Sequence, residues 1–200
     1  MWLAGSVSDD VHFTARFPTK RIAADCLFTD HADRLLVLKP PYKPTWDLPG
    51  GVVERDESPR LAAQREVLEE IGLLIEPGKL LAVDWIPQSG EFTEIVAFLF
   101  DGGVLAPADI DRMVLQPTEV TSSRFVTLDE AADLLDPEQF ARVAAGFKNR
   151  RAPEAVYLEN GVAATVVRED GAHGDQSAAD TLDQPPVPRG QRGEGPVGTS

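Results

Sequence analysis

Three glutamates, Glu66, Glu69 and Glu70, lie close together in a stretch with helical periodicity. At about 100° per residue, their side chains fall within an arc of about 100° on a helix. Glutamates three and four residues apart repel one another by a few tenths of a kcal/mol per pair. A bound cation would offset that repulsion. The spacing therefore predicts either a cation site or a solvated acidic surface.

Carboxylates on one helical face are suited to Mg²⁺, which prefers oxygen ligands, keeps several waters and bridges protein carboxylates to substrate phosphates. Hydrolysis of a diphosphate needs charge neutralisation on the phosphoryl oxygens and a water aimed in line. It also needs a base or a metal that makes this water nucleophilic. A site with more than one metal ion could supply all of these.

The glutamates belong to a longer pattern that decides between the two alternatives. Seven fixed residues and two apolar positions follow at set spacings: Gly51, Glu57, Arg65, Glu66, Val67, Glu69, Glu70, Gly72 and Leu73. Seven fixed residues at roughly 7% each have a chance on the order of 10⁻⁸ per start position. The pattern resembles the Nudix box without a departure.

The resemblance implies the α/β class, as a Nudix-type α/β/α sandwich with a mixed sheet. It also implies Mg²⁺-dependent hydrolysis of a diphosphate bond in a nucleoside diphosphate linked to another moiety, with Mn²⁺ able to replace Mg²⁺. Pro87 lies fourteen residues after Leu73, close to the sixteen of some ADP-ribose subfamilies, which favours ADP-ribose or a nucleotide sugar. The alternative is a regulatory Nudix-like module that senses a nucleotide without turnover. An unbroken box with one cysteine speaks against a third option, isopentenyl diphosphate isomerisation.

The resemblance also assigns roles to the residues of the box. Glu69 and Glu70 are implied as the main metal ligands, Glu66 as a third ligand or the base, and the Gly50 carbonyl as a further ligand. Arg65, which we count with the catalytic residues, and Glu57 resemble the pair that braces the loop against the helix.

The general base is open, because its position varies within the family. We rank Glu66 first, since it lies one turn before Glu70 on the same face. Glu91 ranks second, because the adjacent Gly90 indicates a mobile turn that could reach a bound diphosphate. Glu94 and Glu119 are weaker candidates, at the ends of predicted strands.

A proline-rich loop before the box supplies the predicted substrate contacts. The prolines of residues 39–44 exclude regular structure there. Lys39 and Lys43 are the cations nearest the phosphate site in sequence. Trp46 either packs against the sheet or stacks on a base.

Local signals place the elements that position these residues. Ser58 and Pro59 are expected to begin the box helix and Gly72 to end it. Leu61, Val67, Leu68 and Ile71 are expected to dock the face opposite the glutamates. The other predicted elements are strands at 22–29, 35–38, 79–86, 94–100 and 122–126, a loop or lid at 101–116, helices at 128–135 and 137–150, and an edge strand at 155–158.

Composition bounds the remaining possibilities. The 200 residues fit a lead-in at 1–20, one domain at 21–169 and a tail at 170–200 that is too poor in apolar residues to fold. A formal charge of −14 argues against a nucleic-acid polymer as partner. The chain has no apolar run of 18 residues and no signal-peptide pattern. We expect a cytoplasmic protein with a small-molecule substrate and no membrane partner; a homodimer is compatible with the sequence. Cys26, the single cysteine, is expected to be a packed strand residue.

Overall fold

A mixed sheet forms the centre of the protein. The computed structural model describes residues 17–90 and 93–164, so Glu91, most of the lead-in and the tail lie outside the described residues. Within them, the eight strands are β1 (Arg21–Thr29), β2 (Leu35–Lys39), β3 (Gly50–Val52), β4 (Leu80–Ile86), β5 (Ile95–Val104), β6 (Ser122–Val126), β7 (Val156–Glu159) and β8 (Val162–Ala163).

Strand β1 organises the sheet. Its order is β6-β2-β1-β5-β4-β7-β8, with β3 also paired to β1. Strand β1 runs parallel to β5 along its whole length and antiparallel to β3 through Ala23, Ala24 and Asp25. The short strand β3 therefore lies beside the amino-terminal half of β1, and the chain leaves β3 directly towards the box helix.

Helices cover both faces of this sheet, which confirms the expected α/β/α sandwich. They are α1 (Pro59–Ile71), α2 (Pro107–Ile110), α3 (Leu128–Leu134) and α4 (Pro137–Asn149). Successive strand residues point to opposite faces, so Ala24, Cys26 and Phe28 pack towards α1, whereas Leu27 packs towards α3 and α4. No helix among the described residues is long and apolar enough to cross a membrane.

The ends of the box helix are those expected from the sequence. The Ser58 side chain accepts a hydrogen bond from the Leu61 N–H at 3.3 Å, and Pro59 is the first helical residue. Gly72 ends the helix with φ of 71°, in the left-handed region. Thr127 caps α3 through a capping box with Glu130.

The docking face of the box helix differs from our expectation. Leu61 and Leu68 were assigned to the core but are 56% and 45% exposed, whereas Val67 and Ile71 are buried together with Ala62 and Ala63. The two alanines lie on the sector that also carries Glu66 and Glu70. Because these alanines are small and two of the three residues of β3 are glycines, the helix docks with two glutamates turned towards the sheet. The prediction of opposite apolar and acidic faces was wrong.

Strand β5 also runs further than predicted, to Val104. The expected loop or lid at 101–116 therefore begins later and contains the short helix α2. The extension pairs with β1 across an irregularity between Leu27 and Phe28, a contact that the local sequence does not encode. Cys26 is buried, as predicted, and burial raises the pKa of its thiol to about 12, which disfavours the reactive thiolate.

Candidate active site

The glycines of β3 hold the carboxylate of Glu70 against the sheet. The Gly50 N–H donates a hydrogen bond of 2.9 Å to Glu70 Oε2. Gly50 has φ of 144°, and a Cβ there would lie 2.6 Å from the Asp25 Cα. A residue with a side chain would push β3 away from β1. The glycine is thus required for the contact that seats Glu70.

Glu66 lies close against the next residue, Gly51. A Cβ on Gly51 would lie 2.6 Å from the carboxyl carbon of Glu66. Burial raises the pKa of Glu66, and the charges of Glu69 and Glu119 add to that rise against the opposing effect of Arg65. The absence of side chains at Gly50 and Gly51 therefore creates the space into which two glutamates project.

The carboxyl group of Glu70 also has a raised pKa. Burial raises its pKa to about 8 against the opposing effect of the Gly50 N–H, and the charges of Glu66, Asp25 and Asp47 add to the rise. A carboxyl group with such a pKa is largely protonated at neutral pH unless a positive charge is supplied. The site thus favours the approach of a cation.

Arg65 joins the other acids of the box. Its Nε and Nη2 donate to the two Glu57 carboxylate oxygens at 2.9 and 3.0 Å. Its Nη1 donates to Glu66 Oε1 at 2.9 Å and Glu69 Oε2 at 3.0 Å, and Nη2 reaches the Val52 carbonyl at 3.2 Å. The hydrogen bonds with Glu57 contribute most to raising the pKa of Arg65, and they lower that of Glu57. We call Arg65, Glu57, Glu66 and Glu69 the box cluster; it ties the loop before α1 to the helix.

The donor set of this region fits Mg²⁺ chemically. In residues 17–90 and 93–164, no three His, Cys, Asp or Glu side chains are gathered as a ready coordination shell, because Glu69 turns to Arg65 and Glu70 to Gly50. The available donors are nevertheless all oxygens, on three carboxylates near the two glycines of β3. That is the ligand chemistry of Mg²⁺ rather than of a softer metal.

A cleft of about 290 Å³ lies beside the glycines of β3. Gly50 and Gly51 form one wall, and Tyr42 and Lys43 come from the proline-rich loop. A second cavity of about 250 Å³ shares Lys43, Asp47, Gln139 and Arg142 with it. The cleft therefore adjoins a cavity on the α4 side of the sheet.

The three predicted substrate contacts have different surroundings. Lys43 lines the cleft and forms an ion pair with Asp47 at 2.7 Å. Burial opposes its charge, but Asp47 and Asp136 outweigh burial and raise the pKa of Lys43. The Lys39 ammonium donates to the Lys43, Pro44 and Thr45 carbonyls, the first at 2.5 Å, and so fixes the loop.

Trp46 lies in the core rather than in the cleft. It is 8% exposed and packs with the cluster on the α3 and α4 side, and the Arg124 guanidinium lies 4.8 Å from its ring centroid. A ring enclosed in this way has no free face for a base. The structure therefore favours packing against the sheet, the other interpretation that the sequence left open.

The candidate bases outside the box also differ in placement. Glu94 accepts a hydrogen bond from Trp85 Nε1 at 2.8 Å and pairs with Lys20 at 2.5 Å. Lys20 contributes most to lowering the Glu94 pKa, followed by Trp85. Glu94 is thus held by structural contacts. Glu119 is exposed, and its charge acts on Glu66.

A buried ion cluster below the cleft was missed by sequence analysis. Arg142 of α4 donates to Asp25 Oδ2 at 3.1 Å, and its Nη1 lies 3.5 Å from Asp84 Oδ2. Burial raises the pKa of Asp25 against the opposing effect of Arg142. The one available signal was a charged residue within each of three apolar stretches. We call these three residues the floor cluster.

The combination of sandwich, glycine strand and glutamate-bearing helix is that of a Nudix domain. The model of the NUDIX domain matches residues 19–146. The chain belongs to the NUDIX family.

Known proteins with similar sequences match parts of the chain. A MutT-like protein of Streptomyces ambofaciens is 46% identical over 94 residues, which are 44% of this chain and 58% of that protein. Diphosphoinositol polyphosphate phosphohydrolase 2 of Rattus norvegicus is 43% identical over 65 residues, or 32% of this chain and 36% of the relative. The chain thus spans only about a third to three fifths of these relatives.

A solved structure resembles the fold over most of its own length. The MutT protein of Methanosarcina mazei Go1 aligns with a TM-score of 0.55 and 26% identity, covering 68% of this chain and 99% of that protein. Similarity therefore extends from the box to the whole sandwich.

Proposed function

We propose that this protein is a Mg²⁺-dependent pyrophosphohydrolase that cleaves a diphosphate bond in a nucleoside diphosphate linked to another moiety. The observation that carries the proposal is the close contact of Glu70 with Gly50 and of Glu66 with Gly51, two glycines that line the cleft. A diphosphate lying along the glycines would lie close to the carboxylates that contact them.

The carboxylates of Glu69, Glu70 and Glu66 and the Gly50 carbonyl are the groups that would hold Mg²⁺. When bound, Mg²⁺ neutralises phosphoryl oxygens and makes a bound water more acidic. The raised pKa of Glu70 supports this role, because a nearby cation stabilises the ionised carboxylate that burial disfavours.

Arg65 has a positioning role in this proposal. Its fork of donors holds Glu57 on the loop and orients Glu66 and Glu69 on the helix. Mutual repulsion among the acids is reduced, so the helix tolerates their concentration. Glu66 remains our first candidate for the base, since burial raises its pKa towards the range in which a carboxylate accepts a proton. Glu91 remains the second.

For the substrate, ADP-ribose or a related nucleotide sugar is favoured. The cleft and the cavity beside it extend beyond the glycine wall, which suits a substrate with a group on each side of the diphosphate. The spacing of fourteen residues between Leu73 and Pro87 also favours ADP-ribose or a nucleotide sugar. The Lys43 ammonium lines the cleft, and we assign it to a phosphate oxygen of the substrate, which would replace Asp47 as its ion-pair partner.

A panel of nucleoside diphosphate compounds, assayed by phosphate release after phosphatase treatment, tests the proposal. The panel contains ADP-ribose, nucleotide sugars, dinucleoside polyphosphates and nucleoside triphosphates. We expect turnover of at least one compound with Mg²⁺ or Mn²⁺. Tight binding without turnover of any compound would refute hydrolysis and favour the regulatory module.

A further inference from the structure

The cavity on the α4 side of the cleft has an unusual wall for a protein that handles phosphates. Its polar lining consists of Lys43, Asp47, Asp136, Glu138, Gln139 and Arg142. Carboxylates thus outnumber cations around a space next to the proposed diphosphate site.

Both cations of this wall are already paired. Lys43 Nζ lies 2.7 Å from Asp47 Oδ1 and 3.5 Å from Asp136 Oδ2. The Arg142 guanidinium forms an ion pair with Asp25 at 3.1 Å and lies 3.5 Å from Asp84. Each cation therefore faces two carboxylates before any ligand enters.

The carboxylate of Glu138 is not balanced in this way. It is exposed in the first turn of α4 and makes no ion pair within residues 17–90 and 93–164. A phosphate monoester entering the cavity would meet this charge, while Arg142 is already neutralised by Asp25 and Asp84 and Lys43 is assigned to the diphosphate. Like charges placed together across a binding surface oppose binding.

Hydroxyl and amino groups would meet a favourable wall instead. Ionised carboxylates accept hydrogen bonds and cannot donate them. Bonds to ionised acceptors are the stronger ones. Asp47, Asp136 and Glu138 supply such acceptors along the cavity.

We infer that this cavity binds a non-phosphorylated, hydroxyl- or amino-bearing end of the substrate, a sugar or a base, and that Glu138 selects against an additional phosphate there. The inference rests on the proposed function, because the diphosphate is placed beside Gly50 and Gly51. Discrimination against a phosphorylated compound follows from the carboxylates of the cavity wall. A specific site rejects competitors through unfavourable charges as well as through good contacts with its own ligand.

Three matched compounds test it: ADP-ribose and its two analogues with one phosphate monoester on either ribose. Wild-type protein should show kcat/KM at least about tenfold lower for one analogue than for ADP-ribose, as like-charge contact predicts. Glu138→Lys should remove most of that difference. Asp133→Lys, an equal charge change on an exposed residue that lines neither cavity, should preserve it. Unfolding curves of both variants show whether the fold is retained.

Calorimetric binding of the same compounds, which needs no turnover, separates this inference from the proposed function. Discrimination in binding without hydrolysis would refute only the hydrolase. Equal use of all three compounds, or equal effects of Glu138→Lys on all three, would overturn the inference while leaving hydrolysis intact. Failure of all three to bind would also overturn it.

Discussion

Two arginines organise acidic clusters on the two sides of the sheet, and they differ in distance along the chain and in burial. Arg65 binds Glu57, Glu66 and Glu69, which all lie within eight residues, and its side chain is 26% exposed. Arg142 pairs with Asp25, 117 residues away, and with Asp84, and its side chain is 7% exposed.

The difference in burial separates two uses of the same chemistry. The acids of the box cluster keep contact with water. Their carboxylates can therefore exchange the ion pair with Arg65 for a bound metal ion at modest cost. The acids of the floor cluster are enclosed, and removing their partner would leave uncompensated charge in the core. We therefore assign the box cluster to catalysis and the floor cluster to the construction of the cleft.

The floor cluster is also incompletely satisfied. Within the described residues, Asp84 Oδ2, Gln139 Oε1 and Arg142 Nε are the buried side-chain atoms without a hydrogen bond. Asp84 and Arg142 belong to the floor cluster and Gln139 lines the cleft above it; ordered water is the usual partner of such groups.

The largest effects should come from the box. Glu66→Gln should lower kcat by about 10² to 10⁴ if Glu66 is the general base. Turnover measured against Mg²⁺ concentration distinguishes the roles, because a base variant loses rate at saturating metal with unchanged metal affinity. Weakened Mg²⁺ dependence would make Glu66 a ligand instead. If Glu91→Gln alone showed the base pattern, our ranking would be reversed, and less than tenfold loss in both would refute both assignments.

The floor cluster should respond in stability. Arg142→Met should lower the free energy of unfolding by about 3–5 kcal/mol, because Asp25 and Asp84 are left buried without a cation. Urea unfolding measures the change. Arg65→Met is the matched control, for which we expect a much smaller loss of stability and a large loss of turnover. Equal destabilisation by the two substitutions would contradict the division between the clusters.

The pH dependence of the free energy of unfolding tests the burial of Glu70 beside the box cluster. Burial raises the folded-state pKa of Glu70 to about 8 from 4.5, so the folded protein binds more protons than the unfolded chain in this interval. In EDTA, this group's contribution should be full below pH 4.5 and fall towards pH 8 by at most ~1.4 kcal/mol per pH unit. Glu70→Gln should remove that dependence. A variant with the same pH profile as wild type would show that Glu70 is not perturbed.

The smallest effect should follow removal of the tail. Truncation after Glu169 removes few apolar side chains, so the melting temperature and turnover should change little. A thermal melt and a turnover assay measure this. A decrease of several degrees would show that residues 170–200 bind the domain.

Structural features that depend on residues close together in sequence were predicted correctly. Features that depend on contacts between residues far apart in sequence were not. The ends of α1 follow from Ser58, Pro59 and Gly72, which act locally. The side on which α1 docks depends on alanines fitting the glycines of β3, so Leu61 was misplaced. The extension of β5 depends on pairing with β1.

The same distinction applies to the candidate site. The contacts of Arg65 with Glu57, Glu66 and Glu69 are implied by spacing within the box. The contact of Arg142 with Asp25 depends on the packing of α4 against the sheet, between residues 117 positions apart, and no local pattern encodes it. The enclosure of Trp46 likewise depends on α3 and α4, which follow it by more than eighty residues.

Turnover against Mg²⁺ concentration for wild type and Glu70→Gln tests the central claim most directly. We predict no turnover in EDTA, recovery with Mg²⁺ or Mn²⁺, and a loss of orders of magnitude in Glu70→Gln that saturating metal does not restore. Glu76→Gln, on an exposed acid outside the box face, should match wild type. Turnover that persists in chelator, or a Glu70→Gln variant at the wild-type rate, would contradict the account.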